Sequence, residues 1–460
     1  MSAKLPLLSP SRVAAFDVLK RVATQNSYAS NLLAAPKFDK LSTEDRALLQ
    51  ELVLGVLRWQ GKLDFLIERY AQREVDKLDL ELVIAIRLGL YQLLFLDRIP
   101  AFAAVNESVN LAREYGKEKA VPLVNGVLRS AQRGMEFNIS PNSRSPVQRL
   151  SVETSHPIWM MKRWMARFGE TEAREMALAN NTVPHAAFRF NARRKPIAET
   201  IAELEMLNVK YRPSTLTPQA FVVESGSLSP KARSVKYGWL YVQDESSQLI
   251  ARVAANAAAD SQPAKVLDIC SAPGSKTTLI AGELAEKAST IVATDLHFHR
   301  LRTLNELSKR LGVENVTTVR LDAEQEMPFE PESFDVVLLD APCSGMGTLQ
   351  RNPEIKWRVK EDKIIELAEL QKRLLVNAAA QVATGGLLIY SVCSTEPEEG
   401  EDVIAWFRRQ HPEYRDMTRE RLAEIGIDPT PLLTASFGAR TFTHKHGSES
   451  FFFCVLWKRR

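Results

Sequence analysis

The sequence predicts a multidomain protein. An all-helical N-terminal region covers residues 1–140, a linker and small α+β segment 141–235, and an α/β domain with an open, mostly parallel sheet 236–460. Three observations lead there. A chain of 460 residues is longer than one ordinary core supports, so two or three domains are expected. Apolar residues recur at helical spacing through the first 135 residues, whereas beyond Lys236 short apolar runs alternate with helical segments. Between these regions NISPNSRSPVQ, residues 138–148, gathers Pro141, Pro146 and small polar residues and breaks the pattern, which marks a linker.

The helices are read in order from their start signals. SPSRVAAFDVLKRVA opens with serine and proline, and STEDRALLQELVLGVLRWQ begins with a capping box in which Ser42 precedes Asp45. DLELVIAIRLGLYQLLFL, AAVNESVNLAREYG and AVPLVNGVLRSAQR continue the pattern into a bundle. It contains almost nothing resembling an acid, base or metal constellation, so by itself it reads as a binding or scaffolding module. In the middle segment WMMKRWMARFG and IAETIAELEML read as helices, and AFRFN and AFVVES as strands.

Composition is that of soluble globular structure, with 45% hydrophobic and 25% charged residues. No apolar run approaches the roughly 20 residues of a membrane span, and MSAKLPLLSPSR lacks the apolar core of a signal peptide. A cytoplasmic protein with no membrane association is therefore expected, and a monomer. Cys270, Cys343, Cys393 and Cys454 are too sparse for a disulfide framework and show no C-x-x-C metal spacing, so reduced thiols and no metal are expected. The net charge of +4 is unevenly spread: about +3 over 1–140, +6 over 141–235 and −5 over 236–460. Arg189, Arg193, Arg194, Lys195, Lys210 and Arg212, amid Phe188, Phe190 and Tyr211, are placed either to follow a phosphate backbone with rings for stacking or to form a solvated basic face.

In the α/β region the apolar runs KVLDI, TIVATDL, VTTVRL, FDVVLLD, GGLLIYSV and SFFFCVLW read as strands, and ligands of such sheets bind beyond the carboxyl ends of the strands. VLDICSAPGSKTT puts Asp268 at the end of a buried strand, followed by a turn through Pro273 and Gly274 and a helix from near Lys276. Glycine lets the backbone approach a ligand, and the helix N-terminus offers free amides. The next strand ends at Asp295, placed to accept ribose hydroxyls; Asp322 follows the third, within reach of an adenine amino group, and the fourth ends at Asp340. Helix capping accounts for one or two of the four aspartates. Neither a phosphate loop nor a dinucleotide fingerprint is present. A nucleoside without phosphates suits the single glycine turn, and S-adenosylmethionine is such a compound.

Cys343 in DAPCSG and Cys393 in YSVCST follow the fourth and fifth strands, so both are expected at the cofactor's edge of the sheet. A thiol there can attack an electron-poor carbon. Methylation of carbon 5 of cytosine needs such an attack, because the ring becomes nucleophilic only after a thiolate adds to carbon 6, and a base must later remove the carbon 5 proton. Asp340 is placed to stabilise charge developing on the base. A free cysteine is only a few per cent thiolate at neutral pH, and Lys276 is the candidate cation to raise that share. Cys454, and Cys270 except for its backbone, read as small buried hydrophobes.

The strings LDICSAPGSKT, ATDLH, RLDAEQ, LLDAPCSGMGTLQRNPEIKW and LIYSVCSTEPEEGE resemble, in order and spacing, the motifs of RNA cytosine-5 methyltransferases, and most closely the bacterial 16S ribosomal RNA group called RsmB, Sun or Fmu. GVLRW, GLYQLLFLDRIP and LVNGVLR resemble the NusB-type RNA-binding domain this group carries in front of its catalytic domain, and YVQDESSQL also matches. The resemblance spans essentially the whole chain and implies a NusB-like helical domain, a small RNA-binding α+β unit, a Rossmann-like methyltransferase domain, S-adenosyl-L-methionine as cofactor and 16S rRNA as partner. It further implies that Cys393 is the nucleophile and that Cys343 assists breakdown of the covalent adduct; DNA enzymes use the proline-cysteine thiol instead. Cys270, Ser271, Ala272, Pro273, Gly274, Ser275 and Lys276 would line the methionine part of the cofactor. Asp295 would hold the ribose, Asp322 the adenine side, and Asp340 would lie between cofactor and base. The family usually has a second glycine where Ser275 stands. The same chemistry on transfer RNA or another RNA, a non-catalytic RNA-binding or antitermination factor, and a DNA methyltransferase are the rival readings.

Overall fold

Ser42 accepts a hydrogen bond from the Asp45 amide at 3.1 Å and starts a helix over Thr43–Ala71, with Glu44 and Asp45 in its first, electropositive turn. This helix runs well past the stretch expected from the sequence, because Leu63, Leu66 and Ile67 keep its apolar stripe buried. The computed structural model describes residues 8–25, 27–134, 145–259, 261, 263–417, 419–424, 432 and 438–459. By contacts the chain divides into two units, Met1–Val183 with Leu349–Arg358, and Pro184–Thr348 with Val359–Arg460.

In the first unit the helix Leu80–Phe95 is buried on nearly all sides and forms the centre around which Pro10–Gln25, Thr43–Ala71, Ala101–Glu114 and Val121–Arg133 pack. The closest approach is at Gly55, where a Cβ would lie 2.0 Å from the Tyr91 ring. Of the expected linker, residues 138–144 lie outside the described residues. Ser145 already caps the helix Pro146–Thr154 in a capping box with Gln148, so the linker ends there and not at Gln148. Gly169, at φ +80°, interrupts the helix Ile158–Asn180.

The segment Leu349–Arg358 belongs to this helical unit although the chain on both sides of it belongs to the other. Four of its residues are held by polar contacts internal to the unit. Arg58 donates to the Gln350 carbonyl at 3.0 Å, Glu354 accepts from the Ala29 amide at 2.8 Å, and the Trp357 indole donates to the Leu57 carbonyl at 2.9 Å. Lys356 is fully buried, its Nζ 2.7 Å from Arg58 O, 3.0 Å from Ser155 O and 2.8 Å from Asn181 Oδ1.

The second unit opens with an antiparallel sheet of β1 (Ala187–Phe190), β2 (Lys210–Pro213), β3 (Ala220–Ser225) and β4 (Leu240–Val242), in the order β2-β3-β1-β4. β2 and β4 are too short for a period-2 pattern to announce them. Phe188 is fully buried and Arg189 nearly so, the latter bonded to Gln243 and Thr278, so neither is free to follow a phosphate chain.

The large sheet contains β5 (Lys265–Ile269), β6 (Thr290–Asp295), β7 (Val316–Arg320), β8 (Phe334–Asp340), β9 (Val382–Val392), β10 (Tyr414–Asp416), β11 (Ala439–Arg440) and β12 (Phe452–Lys458). Its order is β10-β12-β9-β8-β5-β6-β7, with β11 beside β12. β5 to β9 are parallel; β10, β11 and β12 pair antiparallel, which makes the sheet mixed. Alternate residues face opposite cores: Val336 and Leu338 pack with the helix Glu245–Ala259, and Val337 and Leu339 with Glu361–Ala380. Among the described residues no helix is long and apolar enough to cross a membrane.

Candidate active site

Parallel pairing of β6, β5, β8 and β9 brings the carboxyl ends of these strands to one edge, and with them Asp295, Asp268, Asp340 and Cys393. After β5, Ser271 donates both its amide and its hydroxyl to the Thr294 carbonyl at 2.9 and 3.0 Å, which ties the turn to β6. Gly274 takes φ +101°, and a Cβ there would lie 2.6 Å from Leu304 Cγ, so the position requires glycine. Ser275 sits in the first turn of the helix Ser275–Glu283, an ordinary place for a serine. Ala272 O accepts from Arg300, and Cys270 is half-buried at φ +59°, its thiol pushed up to about 12 by burial. Cys454 is buried inside β12.

Asp295 Oδ1 accepts from the His297 amide at 2.9 Å, and Arg300 Nη1 lies 3.2 Å from Oδ2. Asp322 is exposed and accepts from the Glu324 amide at 3.0 Å. Asp268 is fully buried; Thr277 donates to its Oδ2 at 2.6 Å, while Oδ1 has no hydrogen-bond partner among the described residues. An orphaned buried oxygen and a glycine turn without room for a side chain suit a ligand amine and a close-lying ligand backbone, as S-adenosylmethionine presents.

Burial pushes the Asp268 carboxyl up to about 7, against the Thr277 hydrogen bond. The folded protein thus holds a proton that the unfolded chain, at its ordinary carboxyl value, releases. The stabilisation from that proton is complete below the ordinary carboxyl range and is lost as pH rises through about 7. In Asp268→Asn this loss is expected to disappear. Melting temperatures at pH 5 and pH 8 should differ less in the variant than in wild type, the removed share being on the order of 3 kcal/mol over that interval. An unchanged difference would show that Asp268 is ionised throughout.

Lys276 Nζ donates to Asp340 Oδ2 at 2.7 Å, and Ser391, paired with Asp340 in the β8–β9 register, donates to Oδ1 at 2.7 Å. Burial opposes the Lys276 ammonium, but Asp340 outweighs it and raises the pKa; a Cys393 thiolate acts in the same sense. The sulfurs of Cys343 and Cys393 lie 3.2 Å apart. The Cys393 sulfur, burial and Glu399 together push the Cys343 thiol well above its usual range, so Cys343 keeps its proton at neutral pH. The Gly347 amide donates to Cys393 O at 2.9 Å, and a Cβ on Gly347 would also lie 2.9 Å from that oxygen, so the Cys343 loop packs backbone to backbone on the Cys393 loop; Ser450 O, just before β12, would be 1.8 Å from the same Cβ.

Ser391, Gly347 and Glu399 are site residues that the sequence reasoning missed. Ser391 was visible only as a small residue two places before a cysteine, and Glu399 only as one member of the acidic run EPEEGE. Among the described residues no group of His, Cys, Asp and Glu is arranged to hold a metal.

Residues 256–457 match the family described as 16S rRNA methyltransferase RsmB/F, residues 9–133 the NusB family, and residues 156–228 the ferredoxin-like domain of RsmF/B-like methyltransferases. The probable ribosomal RNA small subunit methyltransferase B of Bacillus subtilis is 33% identical over 95% of this chain and 96% of its own. The ribosomal RNA small subunit methyltransferase B of Escherichia coli K12 is 33% identical over 97% and 98%. Among solved structures, PH0851 matches 99% of this chain and 100% of its own at 26% identity, with a TM-score of 0.81. NSun6 from Pyrococcus horikoshii with SFG shares the fold over 66% of this chain and 98% of its own, at 21% identity and a TM-score of 0.56. With a helical NusB domain in front, a ferredoxin-like domain next and an α/β domain carrying the paired thiols last, the chain belongs to the 16S rRNA methyltransferase RsmB/F family of S-adenosylmethionine-dependent RNA methyltransferases.

Proposed function

We propose that the protein methylates carbon 5 of a cytosine in 16S rRNA, in the cytoplasm, through a covalent bond between Cys393 Sγ and carbon 6. The observation that carries this reading is the pair of thiols 3.2 Å apart beside the Lys276–Asp340 ion pair. A base protected inside a helix exposes neither ring carbon to a thiol, so the target cytosine must be unstacked. Supporting an RNA ligand, a cavity of about 430 Å³ in the second unit is lined by Phe190, Tyr211, Phe221 and Arg193, which offer rings and a guanidinium to an unstacked base.

The turn Cys270–Lys276 and Asp268 would hold the methionine end of the cofactor, Asp295 the ribose and Asp322 the adenine side. When bound, S-adenosylmethionine supplies an electrophilic methyl group. Cys393 Sγ forms a bond to carbon 6, and the π electrons of the C5–C6 bond become available at carbon 5. Asp340 faces ring nitrogen 3 and the exocyclic amine, with the Lys276 ammonium behind it to balance the charge that gathers on the ring. Once carbon 5 carries the methyl, its C–H bond must break, the C5–C6 double bond re-form and the C6–S bond open. Cys343 serves both ends of this step: its thiol proton goes to the departing Cys393 sulfur, and the carbon 5 proton restores the Cys343 thiol.

The test is the chemical identity of the product. Wild-type protein is incubated with isotope-labelled S-adenosylmethionine and unmodified 16S rRNA, with transfer RNA in parallel, and the RNA is digested to nucleosides for mass spectrometry. Label in 5-methylcytidine from 16S rRNA is expected. Label in an N-methylated base, in ribose, or in transfer RNA alone would sink the reading.

A further inference from the structure

Beneath the two cysteine loops lies a carboxylate that none of the steps above uses. Glu399 follows β9 in a short helical turn, Pro397–Glu399, and is fully buried. Its Oε1 accepts from the Ser344 amide at 2.8 Å and from Gln371 Nε2 at 3.1 Å, and its Oε2 from the Ser344 and Ser394 hydroxyls, both at 2.5 Å. Burial raises the pKa of the group, while the bonds from Ser344, Ser394 and Gln371 favour its charged form. Ser344 follows Cys343 and Ser394 follows Cys393, so one side chain grips both loops at the residue next to each thiol. Gln371 donates also to Pro342 O at 2.9 Å, and the Tyr390 hydroxyl donates to Glu399 O at 2.6 Å. Glu399 is thus anchored through its main-chain carbonyl to the strand before one cysteine and, by way of Gln371, through its carboxylate to the turn before the other.

We propose that Glu399 is a positioning residue for the methyl transfer: a buried carboxylate that holds the Cys343 and Cys393 loops against each other and assigns the reactive thiolate to Cys393. The assignment follows from electrostatics. Two sulfurs 3.2 Å apart cannot both carry charge, and the negative charge of Glu399 adds to that of Cys393 in keeping the proton on Cys343. The Lys276 ammonium responds to Cys393 charge. Glu399 below and Lys276 beside the pair therefore act in opposite senses on two otherwise similar thiols. The inference rests on the reading of Cys393 as nucleophile.

The experiment maps iodoacetamide labelling by mass spectrometry in the full-length protein at neutral pH, without RNA or cofactor, with Cys270 as internal reference. Wild type is expected to take label mainly on Cys393. In Glu399→Gln, which keeps size but removes the charge and replaces one accepting oxygen by an amide donor, the ratio of Cys343 to Cys393 label is expected to rise about tenfold, the change in thiolate fraction that one pKa unit represents. A folded Glu399→Gln with the wild-type ratio overturns the proposal while leaving Cys393 as nucleophile. Wild-type label mainly on Cys343 overturns the nucleophile reading itself, and the proposal with it. Should Glu399→Gln fail to fold, Ser394→Ala removes one of the bonds that keep the carboxylate ionised. It is expected to shift the ratio in the same direction by a smaller factor, and no shift is again the overturning result.

Discussion

Cys393→Ser is expected to abolish methyl transfer, whereas Cys343→Ser is expected to accumulate a protein–RNA adduct that survives denaturing electrophoresis. A serine hydroxyl at position 393 is far too weakly acidic to supply a nucleophile at neutral pH, so a loss of at least about a thousandfold in rate is expected. At position 343 the loss falls later. Bond formation by Cys393 and methyl transfer still proceed, but the thiol that returns a proton to the departing sulfur, 3.2 Å away, is missing. Adduct trapped by Cys343→Ser should contain methylated base, and its formation should require S-adenosylmethionine. If instead Cys393→Ser still methylates and Cys343→Ser neither reacts nor traps RNA, the nucleophile is the proline-cysteine thiol, as in the DNA enzymes.

Lys356→Met should destabilise the protein by about 2 to 4 kcal/mol at neutral pH, read from the midpoint of chemical denaturation. Methionine fills much of the lysine volume but takes the ammonium donor away from Arg58 O, Ser155 O and Asn181 Oδ1. Relief of the desolvated charge offsets part of that loss. The three oxygens match the three N–H bonds of an ammonium, while burial and Arg58 push the Lys356 pKa well down. Because the unfolded chain binds the proton more tightly than the folded protein, stability due to this group rises with pH up to the ordinary lysine value of about 10.4. That rise should be absent in Lys356→Met. A variant as stable as wild type, with the same pH slope, would mean that the segment Leu349–Arg358 is held without its lysine.

Much of the architecture was legible because it is written in local periodicity. The helix Leu80–Phe95 and the strand Phe334–Asp340 each carry an apolar pattern long enough to be unmistakable, and Ser42 marks a helix start by its own hydrogen bond. β2 and β4 escaped because four- and three-residue strands carry no period, and because β4 gains its partner, β1, only through folding. Arg189 and Phe188 looked like part of a nucleic-acid surface and are buried instead, since composition says which residues are near in sequence and not which face of a sheet they take.

By itself the sequence determined the helical front, the alternating strands and helices of the catalytic region, and the order in which Asp268, Asp295, Asp340, Cys343 and Cys393 meet the ends of those strands, because apolar period and strand-end position are properties of neighbouring residues. The 3.2 Å between two sulfurs fifty residues apart, the placing of Ser391 and Lys276 on the two oxygens of Asp340, and the burial of Glu399 beneath both thiols were decided only by tertiary structure. So was the capture of Leu349–Arg358 by the helical unit. Each of these depends on parallel pairing and packing between distant segments, and the free energy that makes a buried carboxylate or lysine tolerable comes from partners that no local pattern names.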